Sequence, residues 1–207
     1  MEADLKFYVQ AIITVVLLTD PFVRPMLFKS MTAHEPQKRG AYVRTIMIVV
    51  GATLGVSALA GRELLELIGI NLHAFSVMGG IVLALMGFEM LYEGEPSRTQ
   101  GGEEAHEKRE SFEGSVIVPY AIPFVAGPGA ITAVITLSSS TSSGEGVIAA
   151  LVAVGVAIAL MPLGYLVFAK RVNLSERGMA LLTKFGGLFV ATIGIQLILS
   201  GLQKYFA

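Results

Sequence analysis

The chain of 207 residues contains no cysteine. That excludes disulfides, thiolate metal sites and a cysteine nucleophile. Charge is scarce too: 15% of residues are Asp, Glu, Lys or Arg, against about 25% in an ordinary soluble domain. The net charge of −1 leaves no basic surface of the kind nucleic acid requires. The histidines His34, His73 and His106 are scattered through expected loops and helix ends, without metal-ligand spacing. No His-Glu-x-x-His, Gly-x-Ser-x-Gly or phosphate-loop pattern occurs. The serines at 138–143 have no histidine or lysine nearby to activate one. We therefore expect no enzyme, no cofactor and no metal.

What the chain does have is apolar length. Hydrophobic residues make up 54% of it, and the mean hydropathy is +0.69. They fall into six runs, at about 5–31, 42–68, 72–93, 115–137, 146–169 and 179–205. Each matches the roughly 20 residues that a hydrocarbon core demands of a helix. The opening Met1-Glu2-Ala3-Asp4-Leu5-Lys6 lacks the basic region of a secretory signal, so the first run reads as a retained span. Between the third and fourth runs, residues 95–114 are rich in Glu, Lys, Arg and Gly and bury too little to fold alone. The expected organisation is a three-helix unit at 1–94, a charged cytoplasmic linker at 95–114 and a second unit at 115–207. With the amino terminus outside, eleven Lys and Arg flank inner ends and three flank outer ends. The positive-inside rule then places both termini outside the cytoplasm, in a cytoplasmic (inner) membrane.

The two units resemble each other. One offset of 107 carries Gly79, Gly80, Gly87 and Gly94 onto Gly186, Gly187, Gly194 and Gly201, and Glu89 onto Gln196. Pro21-Phe22-Val23 likewise echoes Pro123-Phe124-Val125. Such order points to a duplicated unit. A unit with an odd number of spans begins on opposite faces in its two copies, so the copies are inverted. Inverted repeats are characteristic of secondary transporters, which bind near the midplane where the repeats meet.

The first run of each unit is also the one that breaks. Asp20-Pro21 and Pro25 interrupt one, and Pro119, Pro123, Ala126, Gly127, Pro128 and Gly129 mark the other. An interior proline costs a helix about 3 kcal/mol. Broken backbone at membrane depth is tolerated only where protein buries it or a cavity needs it; a proline-kinked, otherwise continuous helix is the alternative. Asp20 has two compatible roles, capping a restarted helix and holding an ammonium, proton or cation. A carboxylate in a span costs roughly 2.5–3.5 kcal/mol and needs one of them. Free N–H groups at a restarted helix suit a carboxylate. Gly127 and Gly129 allow close approach. Thr132 and Thr136 offer hydroxyls, unless they bond back to their own helix.

Taken together, Pro119-x-x-x-Pro123-x-x-x-Gly127-Pro128-Gly129-Ala130-Ile131, Asp20-Pro21 and the Met78-Gly79-Gly80 to Glu89-Met90-Leu91 pattern resemble the MarC family of six-span membrane proteins. Val23 stands where members of that family usually carry glycine. The resemblance implies a carrier of small neutral amino acids. The expected fold is all-α, with six transmembrane helices as two inverted three-helix repeats and the first helix of each broken near mid-membrane. The expected substrate-binding residues are Asp20, Pro21, Pro25, Pro123, Ala126, Gly127, Pro128, Gly129 and Thr132. The expected partners are a glycine- or alanine-sized amino acid, the lipid bilayer and a coupling proton or cation. The rival expectation is a non-transporting membrane scaffold or regulatory protein.

Overall fold

The computed structural model describes residues 2–19, 28, 36–93, 126–141, 144–168 and 176–206. Among the described residues there are helices and turns but no strand. In order they are α1 (Glu2–Thr19), α2 (Arg39–Leu67, entered through a 3-10 turn at Pro36–Lys38), α3 (Leu72–Glu93), α4 (Pro128–Ser138), α5 (Glu145–Pro162) and α6 (Glu176–Phe206). Among the described residues, four helical stretches are long and apolar enough to cross a bilayer: Arg39–Leu67, Leu72–Tyr92, Glu145–Tyr165 and Ala180–Phe206. The apolar helices Leu5–Thr19 and Pro128–Ser138 are shorter. They are the described parts of the two runs expected to break. Asp20, Pro21, Pro25, Pro119 and Pro123 lie outside the described residues, as does the linker at 95–114.

Local chemistry explains the boundaries. At the end of α2, the Gly69 N–H donates to the Glu66 carbonyl at 3.1 Å and the Ile70 N–H to the Leu65 carbonyl at 2.8 Å. Gly69 sits at φ +75°, the left-handed position such a paired C-terminal cap requires. Asn71 Oδ1 then accepts from the N–H groups of His73 and Ala74 at 2.8 and 3.3 Å, which starts α3. At the start of α5, Gly144 is again left-handed at φ +75°. Pro162 does not stop that helix. The chain continues as a π-helical turn over Leu163–Phe168.

Large apolar side chains face outward, among them Ile48, Val56 and Leu59 on α2, Phe88 on α3 and Phe189 and Leu199 on α6. An exposed apolar surface on this scale is what lipid contact needs. Inside, α5 turns Ala149, Ala150, Ala153 and Ala157 inward, all essentially inaccessible. That small face lets α1 and α2 pack closely on α5, and α4 also lies against it. Phe28 docks edge-on against Tyr165, with ring centroids 5.0 Å apart.

The most extensive packing joins α3 to α6. A Cβ built on Gly80 would stand 2.6 Å from the Gly194 carbonyl oxygen, and one on Gly194 2.6 Å from that of Gly80. Gly87 and Gly187 face each other in the same way, at 2.6 and 2.7 Å. The two helices are therefore antiparallel, with backbones in contact through their glycines.

Candidate functional site

The site begins at the amino end of α4. Gly127 caps the helix in extended backbone (φ −60°, ψ 166°), and Pro128 takes the first helical position. Proline is favoured there because its missing N–H would have had no partner. The first ladder bond is from the Ile131 N–H to the Gly127 carbonyl, at 3.1 Å. Gly129 and Ala130 thus carry the orphan N–H groups of the first turn, and among the described residues no side chain caps them. These donors and the aligned peptide dipoles give this end a partial positive charge.

A cavity of about 30 Å³ lies against that end. Its walls include Leu18 from the last turn of α1, Leu83 and Met86 from α3, Gly127 and Gly129 from α4, and Val190 from α6. The last described turn of α1 and the amino end of α4, with its unpaired amides, therefore border one space. Thr19, buried at the last position of α1, donates its hydroxyl to the Val16 carbonyl at 2.9 Å. The volume holds on the order of two waters, so a larger solute requires the walls to move. Leu83 and Met86 supply flexible side chains for that.

A family model described as MarC family integral membrane protein matches residues 5–206. This chain belongs to the MarC family. It is a multi-pass integral membrane protein on that ground and on its spanning helices. A UPF0056 membrane protein of Pyrococcus abyssi is 30% identical to it over 98% of this chain and 97% of the relative. A UPF0056 membrane protein of Methanocaldococcus jannaschii is 27% identical over 97% of this chain and 98% of its own length. The UPF0056 inner membrane protein YhgN of Escherichia coli is 28% identical over 95% and 96%. No solved structure matches.

Within this MarC chain, four of the nine residues expected at the site (Asp20, Pro21, Pro25 and Pro123) lie outside the described residues. Of the other five, Gly127 and Gly129 line the cavity, Ala126 is buried beside it and Pro128 is exposed. The space left by Gly129 is occupied: a Cβ there would collide with Leu83. Thr132 is buried and donates its hydroxyl to the Pro128 carbonyl at 2.9 Å, while its side chain fills the space beside Gly79. Thr136 instead reaches across to α3, where its Oγ1 lies 2.7 Å from Ser76 Oγ. Sequence reasoning missed Leu18, Leu83, Met86, Val190 and Ser76. The signal available for Ser76 was a hydroxyl within a spanning run; the apolar four carried none, since they look like any core residue.

Proposed function

We propose that the protein is a secondary carrier of glycine- or alanine-sized neutral amino acids, coupled to a proton or cation, working by alternating access. The observation that carries this reading is the cavity at the amino end of α4, bordered by Leu18 of α1 and by Gly127 and Gly129. A helix amino end offers a partial positive charge. The amides of Gly129 and Ala130 suit a carboxylate, and a zwitterion's ammonium or a coupling cation needs an acceptor beside them. Asp20, one residue past the end of α1, is the natural partner for either. A small zwitterion matches the α4 amides and Asp20 together, and the limited room disfavours larger side chains.

The six-span inverted repeat, with units at 1–94 and 115–207, belongs to the same proposal. Its support is the exchange of contacts between α3 and α6. The offset of 107 carries Gly80 onto Gly187 and Gly87 onto Gly194. The observed pairs are Gly80 with Gly194 and Gly87 with Gly187, so the offset turns each pair into the other. That reciprocity belongs to a two-fold axis crossing an antiparallel pair, and such an axis lies in the plane of the membrane. Basic residues favour the linker inside and both termini outside.

The test is thermal stability of the full chain in detergent against a panel of amino acids. Glycine and alanine should raise the melting temperature, as a ligand at a hundred times its Kd adds about 2.7 kcal/mol. Gly127→Ala should remove that shift while the protein stays folded. A flat response to every amino acid tried, with a folded wild type, counts against the carrier and returns the chain to the scaffold reading.

A further inference from the structure

One face of α3 and one face of α4 lie antiparallel in register. Leu83 meets Gly129 and Gly79 meets Thr132. Ser76 and Thr136 are hydrogen-bonded at 2.7 Å, and Leu72 and His73 share a second cavity with Ser139. Steps of three and four residues keep these positions on one stripe of each helix. On α4 the stripe reads Gly129, Thr132, Thr136, Ser139, so all but its first rung is a hydroxyl. The stripe also joins two cavities: the one at Gly127, and one of about 20 Å³ where α3 begins and α6 ends, lined in part by His73, Ser200 and Lys204.

Packing alone does not call for this chemistry. In hydrocarbon an apolar seam holds two helices with no polar group to satisfy, and here Ser139 Oγ is buried without a hydrogen-bond partner. Ser76 Oγ, already donating to the Leu72 carbonyl at 2.9 Å, is free to accept from Thr136 across the seam. Hydroxyls both donate and accept, so they can meet either end of a zwitterion as it passes. Building on the carrier reading, we propose that the α3–α4 seam is the closed half of the solute's route from the Gly127 cavity to the membrane surface at the amino end of α3. Ser76 and Thr136 form its gate, and the Lys204 ammonium at the mouth draws the carboxylate end inward. The repeat offset carries Ser76 onto Thr183, which is fully buried and, like Ser139, has a hydroxyl without a partner.

The absence of native cysteine gives a direct test in the full chain reconstituted into liposomes. Ser139→Cys, Thr136→Cys and Thr132→Cys are made singly and exposed to a membrane-impermeant thiol reagent from each side. From the side of the α3 amino end, reaction should slow several-fold at each step inward. Adding Ser76→Ala should speed Thr132→Cys several-fold. Where Thr132→Cys fails to fold, Leu83→Cys, one rung deeper, gives the same reading. A residue at 132 or 83 that never reacts from that side, with or without Ser76→Ala, overturns the route. So does one that reacts equally from both sides. This readout needs no amino acid. A graded order without any glycine counterflow sinks the carrier reading alone, and counterflow without the graded order sinks the route alone.

Discussion

Helix α3 presents two faces built on different terms. Toward α6 it offers Gly80, Ala84 and Gly87, which meet Gly194, Ala191 and Gly187 with backbone against backbone. Toward α4 it offers Ser76, Gly79 and Leu83, which meet hydroxyls and side chains, with a cavity at each end of the seam. A backbone contact has one register and nothing that can rotate away, so it suits a fixed axis. Contacts closed by Leu83, Thr132 and the Ser76–Thr136 pair can open by changes of rotamer, so they suit a surface that moves. The lesson is that small residues in one helix serve two ends: Gly80 and Gly87 hold the axis, while Gly79 makes room for Thr132.

Five substitutions break or sharpen that contrast. The largest effect belongs to Gly87→Val, because even a Cβ at this position would stand 2.6 Å from a backbone oxygen of Gly187. Overpacking against backbone should cost about 3 kcal/mol or more, read as a fall in melting temperature in detergent; a loss no larger than at the α4 face would erase the distinction. Gly129→Ala meets only the Leu83 side chain and should cost roughly 1–2 kcal/mol. Leu83→Val should recover part of it, as a coupling above about 0.5 kcal/mol in a double-mutant cycle. Thr136→Val removes the bond to Ser76, and such bonds between membrane helices average about 0.6 kcal/mol. Its stability should barely change while glycine uptake shifts markedly, a combination that structural packing alone does not produce. Arg62→Ala, which removes an exposed pair with Glu66 at 2.8 Å, sets the floor at about 0.3–0.5 kcal/mol.

Much of the fold was legible because its signals are local. The third run, expected at 72–93, is the helix Leu72–Glu93, since Gly69 and Asn71 mark its start within a few residues. Helix α4 starts at Gly127-Pro128; proline and glycine act on their own backbone and need no partner to be read. The π-helical turn that follows Pro162 was not foreseen, because whether a helix continues past a proline depends on what surrounds it. Within the site, the use of Gly129 by Leu83 and of Thr136 by Ser76 joins residues far apart in sequence. Periodicity places such residues on a face but does not say which face meets which. The cavity-lining Leu18 and Val190 were hidden for the same reason.

The carrier assignment meets its most direct test in counterflow. Liposomes holding the reconstituted full chain are loaded with unlabelled glycine and diluted into labelled glycine or alanine, with and without a pH gradient. The account predicts transient accumulation of both labels, little for a large apolar amino acid, and loss of the signal in Gly127→Ala. Folded wild-type protein that accumulates neither label under any gradient would contradict it.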